Sequence, residues 1–298
     1  LFRWALKYYA ATPEAILETM IPAAIRKGMK PKTRRYISKG KAATVEELSA
    51  LEKRAPKQAA ILKFISQQVK PLPRSDILKA MKISASACDG LVAKGFLRET
   101  DTEEERIAYE DELGDQESVV AESRPVLTEE QGAAVKTIHE AIAADKFSVR
   151  LLHGVTGSGK TEVYLQAMTA HLAAGKQVLV LIPEIGLTPQ TVQRFRQRFA
   201  VPVATLHSGL TDRERLDNWL AARDGKARII IGTRSAIFTP MADPGLIIVD
   251  EAHDASLKQQ DGFRFHARDL ATWRAQQLDI PVVLGSATPA LETLQLAR

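Results

Sequence analysis

The run Gly154-Val155-Thr156-Gly157-Ser158-Gly159-Lys160-Thr161 constrains this 298-residue chain more than any other stretch. It meets the G-x-x-x-x-G-K-[ST] pattern in full. Apolar Val149, Leu151 and Leu152 precede it as a strand, and Val163, Tyr164, Ala167, Met168 and Leu172 follow at helical spacing. Glycines let the backbone curl so that successive N–H groups point at phosphate oxygens. Lys160 can then reach the β- and γ-phosphates, and the Thr161 hydroxyl can sit on Mg²⁺. The helix N-terminus adds its partial positive charge. A glycine-rich turn can also be a plain loop, but strand, helix and Lys-Thr together argue against that. The chain is expected to bind a nucleoside triphosphate.

The length suits about two domains, and 45% apolar with 26% charged residues is ordinary for a globular chain. No stretch approaches the ~18 consecutive apolar residues of a membrane span, so no membrane partner is expected. Leu1-Phe2-Arg3-Trp4 is neither an initiator Met nor a signal peptide, and the chain is expected to begin inside a larger protein. A single cysteine, Cys88, excludes an internal disulfide and a Cys-rich zinc site, and a reducing cytoplasm is the expected setting. The net charge of +5 hides an asymmetry. Residues 1–98 hold twenty Lys/Arg against seven Asp/Glu, residues 99–125 hold two against eleven, and the remainder is nearly neutral. A basic N-terminal third suggests a polyanionic partner, although basic surface often only solvates.

Trp4, Leu6, Tyr8 and Tyr9, then Ile16, Leu17, Met20 and Ile21, read as short helices broken at Pro13 and Pro22. They are too few for a core of their own and are expected to pack onto something upstream. From Arg26 to Lys41 come eight basic residues and no acid, which reads as a linker or a phosphate-contacting arm. Ile61, Leu62, Ile65 and Val69 mark a helix; Ile77, Leu78 and Met81 mark a second. A third runs from Ser84 through Cys88, Leu91 and Val92 to a cap at Gly95, and Phe96-Leu97-Arg98 reads as a strand. Three helices, a strand and a charged hairpin resemble a winged helix. Ser86, Asp89, Ala93 and Lys94 on the outer face of its third helix are a poor set for bases or phosphates, so docking on protein is as open as groove binding.

From residue 126 onward, strand-like runs (149–152, 178–182, 203–206, 229–231, 246–249 and 282–284) alternate with helical patterns. Continuous β-branched runs of this kind imply a parallel sheet covered on both faces. Ligands bind at the carboxyl ends of such strands, where the motifs fall. Leu246-Ile247-Ile248-Val249 delivers Asp250-Glu251-Ala252-His253 there. Asp250 can hold a metal-bound water and Glu251 can polarise the attacking water, the parts that phosphoryl transfer needs. The plainer reading, an N-cap with a first-turn acid, explains neither the phosphate loop nor His253. Gly285-Ser286-Ala287-Thr288-Pro289 follows the last strand.

Phosphate loop, Asp-Glu-Ala-His and Ser-Ala-Thr in this order resemble the first RecA-like lobe of a superfamily-2 helicase of the DEAH-box type. That resemblance makes Lys160, Asp250 and Glu251 the catalytic group, with Thr161 and Asp250 on Mg²⁺. It gives Gln131 the adenine, and Ser286 and Thr288 the coupling of the Asp250/His253 region to DNA. Further residues narrow it. Leu181-Ile182-Pro183-Glu184-Ile185-Gly186-Leu187-Thr188-Pro189-Gln190, Leu206-His207-Ser208-Gly209-Leu210 and Gly232-Thr233-Arg234-Ser235 are similar to motifs of the primosomal protein N′ family, the bacterial replication-restart helicases. Residues 256–269 look like that family's aromatic-rich loop. Phe263, Arg264 and Phe265 would then stack on unpaired bases, beside contacts from Pro183, Glu184, Thr188, Thr233 and Arg234. The alternative for the two phenylalanines is a place in the core.

The resemblance implies an α/β fold: a P-loop RecA-like parallel sheet (126–298) preceded by a small winged-helix domain (56–110). An acidic linker (111–125), a basic linker (31–55) and the end of an N-terminal DNA-binding domain (1–30) complete it. It implies ATP-driven 3′-to-5′ unwinding of stalled or branched forks and the start of primosome assembly. Forked and single-stranded DNA, single-stranded-DNA-binding protein and primosome components are the implied partners of a monomer. The second lobe, its arginine finger and a zinc insertion are expected beyond residue 298. Such a finger is worth about 10³ to 10⁵ in rate, so this chain is expected to bind MgATP and turn it over slowly. Another superfamily-2 DNA translocase, such as a restriction-type motor, a winged-helix regulator with an ATPase switch, and a binding-only module are the competing readings.

Overall fold

In the computed structural model, which describes residues 1–29, 33–68, 70–103, 125–144 and 146–296, the chain divides into two units, Leu1–Met29 with Arg106–Arg298, and Lys30–Glu105. No described helix is long and apolar enough to cross a membrane.

Three short helices open the chain: α1 (Phe2–Tyr9), α2 (Pro13–Met20) and α3 (Ala23–Arg26). They pack within the first unit. Ala5 and Ile16 are fully buried in one of its cores, and the Trp4 ring stacks on Trp273 with centroids 4.6 Å apart. Residues 1–29 group with the lobe in the first unit, with Tyr8 and Leu17 of their apolar stripe left exposed.

The second unit contains β1 (Thr33–Lys39), α4 (Val45–Arg54), α5 (Pro56–Ser66), β2 (Leu72–Pro73), α6 (Arg74–Met81), α7 (Ala85–Ala93) and β3 (Leu97–Glu103). α5 to α7 and β3 are the expected three helices and strand, with Gly95 in the left-handed region (φ 76°) just past α7. Val69 and nearly all of the expected acidic linker lie outside the described residues. The basic linker is corrected. Residues 33–39 are the central strand of an antiparallel sheet ordered β2-β1-β3, and residues 45–54 are a helix closed by a Thr44–Glu47 capping box. Basic β1 lies against acidic β3, with Arg35 opposite Asp101 and within 3.8 Å of both Asp101 and Glu99. Arg74, 9% exposed, ties Glu99 (2.9 Å) and Asp89 (2.7 Å) to the same patch. Part of the charge asymmetry is therefore answered inside the chain.

The rest of the first unit alternates helix and strand: α8 (Glu129–Ala143), β4 (Ser148–His153), α9 (Lys160–Ala173), β5 (Gln177–Leu181), α10 (Pro189–Arg198), β6 (Val203–Leu206), α11 (Asp212–Arg223), β7 (Ile229–Gly232), β8 (Pro244–Val249), α12 (Ala267–Leu278), β9 (Pro281–Ser286) and α13 (Leu291–Leu296). All six expected strands are present, in one parallel sheet ordered β4-β9-β8-β5-β7-β6. Alternate residues feed opposite cores, as a two-residue period requires. Leu179, Leu181, Ile247 and Val249 join the core that holds α12 and the N-terminal helices, whereas Val178, Val180, Leu246 and Ile248 join the core built on α8, α9 and α10. Because β9 lies between β4 and β8, the carboxyl ends of these strands, where Gly154, Ser286 and Asp250 stand, lie side by side. β4 is an outermost strand, with Val149 and Arg150 exposed.

Candidate nucleotide site and the loops beside it

Gly157 (φ 82°) and Gly159 (φ 80°) hold left-handed backbone that other residues adopt only at a cost, which shapes the phosphate loop between β4 and α9. Val155, Thr156, Gly157 and Ser158 are exposed, while Lys160, at the first turn of α9, is 8% exposed. Its Nζ donates to Gly154 O (2.9 Å) and lies 3.2 Å from Glu251 Oε1. Gln131 stands beside the loop. Its Oε1 accepts from Thr128 N (3.0 Å) and its Nε2 donates to Ser158 O (2.9 Å), so the amide tethers the start of α8 to the loop.

The Asp-Glu-Ala-His box is stitched to its neighbours by backbone bonds. Asp250 N donates to Leu181 O (2.8 Å) and Ala252 N to Gly285 O (2.7 Å). Asp250 Oδ1 accepts from Tyr164 Oη (2.9 Å) and Glu251 N (3.0 Å). Burial pushes the Asp250 carboxyl above its usual range against the pull of the Tyr164 hydrogen bond, and burial pushes the Tyr164 phenol well up. Glu251 has φ 42°, a left-handed conformation that costs a non-glycine residue about 1–2 kcal/mol. Its Oε2 is buried and has no hydrogen-bond partner among the described residues. His253 Nδ1 lies 2.8 Å from Ser286 Oγ and 3.5 Å from Glu251 Oε2, which joins the box to the third motif. Ser286 is 1% exposed; Thr288 is exposed, and of these two only Ser286 bonds to the box among the described residues.

A cavity of about 150 Å³ is lined by Thr161, Tyr164, Pro183, Ile185, Asp250 and Glu251, among others. A threonine hydroxyl and a carboxylate are hard oxygen donors of the kind a small divalent cation takes when phosphate and water complete its shell. The residues present fit such an ion.

The expected DNA-contacting residues divide. Glu184 is exposed in a one-turn 3₁₀ helix (Glu184–Gly186), with Ile185 89% exposed beside it. Thr188 caps α10 by accepting from Thr191 N (3.2 Å). Pro183 is buried and Thr233 is 4% exposed, so neither side chain is presented outward. Arg234 is turned inward, bonding Gln259 Oε1 (2.7 Å) and Ser256 O (3.1 Å) as a brace for the loop after the box. Phe263 and Phe265 are each 1% exposed, packed on Phe238, with Tyr9 edge-on to Phe263 at 5.3 Å. The stacking role expected of them is corrected. The loop folds back on itself through Gln259 N to Phe265 O (2.8 Å), so alternate side chains point in and out, and Arg264 alone of the three is exposed.

Two groups escape a reading of the sequence. Tyr164 stands there among the apolar positions of α9, although a phenol on a buried helix face needs a partner, which is the signal that could have found it. The buried pair Arg198–Glu162 (2.7 Å), which ties α10 to the first turn of α9, leaves no sequence signal, since its partners lie 36 positions apart.

The family described as DEAD/DEAH box helicase matches residues 128–297. The replication restart protein PriA of Haemophilus influenzae is 45% identical over 298 residues, covering 98% of this chain and 39% of that protein. PriA of Bacillus subtilis is 43% identical over 263 residues, 86% of this chain and 32% of that protein. A structure of RecG bound to a three-way DNA junction overlaps 60% of this chain and 23% of its own, with 27% identity and a TM-score of 0.46. The chain thus spans about two fifths or less of the curated relatives named.

Proposed function

The chain belongs to the DEAD/DEAH box helicase family, and from that premise we propose that it is the nucleotide-binding portion of an ATP-driven replication-restart DNA helicase that unwinds stalled or branched forks with 3′-to-5′ polarity. One observation carries this reading: Lys160, Asp250, Glu251, His253 and Ser286 meet at one edge of a parallel sheet, in contact from motif to motif.

Each residue's part follows from its surroundings. The phosphate-loop amides and the α9 N-terminus face an anion. Lys160, held by Gly154 O and Glu251, exchanges those partners for phosphate oxygens and in doing so releases Glu251. Glu251 Oε2, buried and without a hydrogen bond among the described residues, takes the proton of the attacking water. Thr161 and Asp250 would hold an Mg²⁺, which would supply charge neutralisation on the phosphates when bound. Gln131 reports on the loop through Ser158, and adenine would compete for the same amide. Ser286 passes a change at His253 into β9, and Thr288 lies two residues further along the same turn. Arg264 and the Glu184–Thr188 turn are the side chains proposed to face DNA, with Arg234 holding the loop that presents Arg264.

The Lys30–Glu105 unit is proposed to be a winged helix. Asp89 on α7 is tied to Arg74 and Lys94 to Gln58, which favours support of the fork over reading of bases. Single-stranded-DNA-binding protein, primosome components, a monomeric state, a cytoplasmic setting and zinc in the longer protein remain proposals that rest on the family.

The test is MgATP binding and DNA-stimulated turnover by the chain, beside Lys160→Ala and Glu251→Gln. Lys160→Ala is expected to weaken binding. Glu251→Gln is expected to keep binding and to lower turnover by about 10²–10⁴, the worth of a general base. Binding that Lys160→Ala leaves unchanged would overturn the reading.

A further inference from the structure

We propose that Tyr164 is a positioning residue for the metal: its hydroxyl fixes the Asp250 carboxylate so that Oδ2 is left for the Mg²⁺ shell. The inference rests on the nucleotide-site reading above and extends it to a residue outside the motifs. Tyr164 is 1% exposed and one turn beyond Lys160 on α9. Its hydroxyl donates to Asp250 Oδ1 at 2.9 Å, and Glu251 N donates to the same oxygen at 3.0 Å. With Oδ1 doubly held, the carboxylate has one orientation and one oxygen to spare. The ring lines the same cavity as Thr161 and Asp250, so it stands beside both proposed metal-side donors.

Gly285 makes the placement exclusive. A Cβ built there would overlap the Tyr164 hydroxyl and meet its Cζ at 2.8 Å, so the phenol passes where any other residue at 285 would stand. Gly285 O also accepts the Ala252 N–H at 2.7 Å, and the residue directly precedes Ser286. Tyr164 therefore spans from the first turns of α9, across Asp250, to the strand that carries the third motif. It holds three motifs in register with one hydroxyl and one ring.

Partners that orient a metal ligand are worth about 10- to 100-fold in metal affinity. The experiment titrates Mg²⁺ into the chain with a fluorescent ATP analogue and records the Mg²⁺ concentration at half-maximal tightening, with an EDTA baseline and a thermal melt. Tyr164→Phe keeps the ring and loses the hydroxyl. It is expected to raise the half-point about 10-fold, with the EDTA baseline and the melt near wild type. Gly285→Ala keeps the hydroxyl but displaces it, and is expected to raise the half-point likewise. An unmoved half-point in Tyr164→Phe, with Tyr164→Leu lowering only the melt, would mean that the residue is packing alone and would overturn the proposal. Nucleotide binding indifferent to Mg²⁺ in the wild-type chain would instead overturn the functional reading on which it rests.

Discussion

The loop from Gly154 to Gly159 and the loop from Lys258 to His266 lie in the same unit and are held by opposite means. The phosphate loop is a backbone object. Two glycines at positive φ bend it, the Gln131 amide tethers it, and Val155 at its crest is 70% exposed. Among the described residues its crest packs on no core. The second loop is a side-chain object. Phe263 and Phe265 are sunk beside Phe238, Lys258 and His266 form an isolated bridge, and Arg234 braces Gln259 from outside. It presents Arg264 from a fixed mount. The difference is between a loop shaped by its backbone and one shaped by buried side chains.

The comparison can be broken most forcefully at the phenylalanines. Phe265→Ala is expected to destabilise the first unit by about 3–5 kcal/mol, whereas Val155→Ala should move it by less than about 0.5 kcal/mol. Denaturant unfolding of both variants measures this; equal effects would end the distinction. A smaller effect is expected at Arg264→Ala. Removing one exposed charge should weaken single-stranded DNA binding about 10-fold, within the ~1–3 kcal/mol of a stacking or cation–π contact, with nucleotide affinity and melting temperature unchanged. Anisotropy with labelled DNA reads the first and a thermal melt the last. A collapse of the melt would show that Arg264 belongs to the mount.

The smallest effect is a pH dependence at His266, which ends the loop and caps α12 by accepting from Arg268 N. Burial holds its imidazole below the ordinary value near 6.5, opposed by Asp269 and helped by Arg268 and Lys258. The folded chain therefore binds this proton less readily than the unfolded one. Stability should be full above about pH 6.5 and fall as the pH drops below it, until the folded imidazole is itself protonated. Melts from about pH 7.5 to about pH 5 are expected to show that loss, with a shallower slope in His266→Gln. An equal slope in both would remove His266 as its source.

What is legible in the sequence follows the same division. The phosphate loop, the six strands and the Asp-Glu-Ala-His turn are readable because backbone requirements leave marks at fixed spacing: glycines, uninterrupted β-branched runs, acids directly after a strand. Residues 33–39 are not readable as a strand, since their basic residues show no apolar alternation and their acidic partners sit some sixty positions away on β3. Phe263 and Phe265 carry a two-residue alternation with Arg264 between them, which is the mark of a half-buried segment, but their aromatic chemistry points to bases. Tyr164 is hidden by its neighbours, apolar residues on the same helix face. Contacts that depend on long-range pairing, not on local spacing, are what the sequence withholds.

The exposed rim of the sheet carries a consequence for how the molecule behaves in a crowd. Strand β4, the support of the phosphate loop, is outermost among the described strands, and it shows Val149 and Arg150 to solvent. An open strand rim is a template on which another chain can add its own strand and begin a pile. Arg150 sits near the middle of that rim, and a charge there must be desolvated before a second strand can settle. A residue with no assigned part in the chemistry is thus expected to oppose strand addition on the strand that supports the phosphate loop.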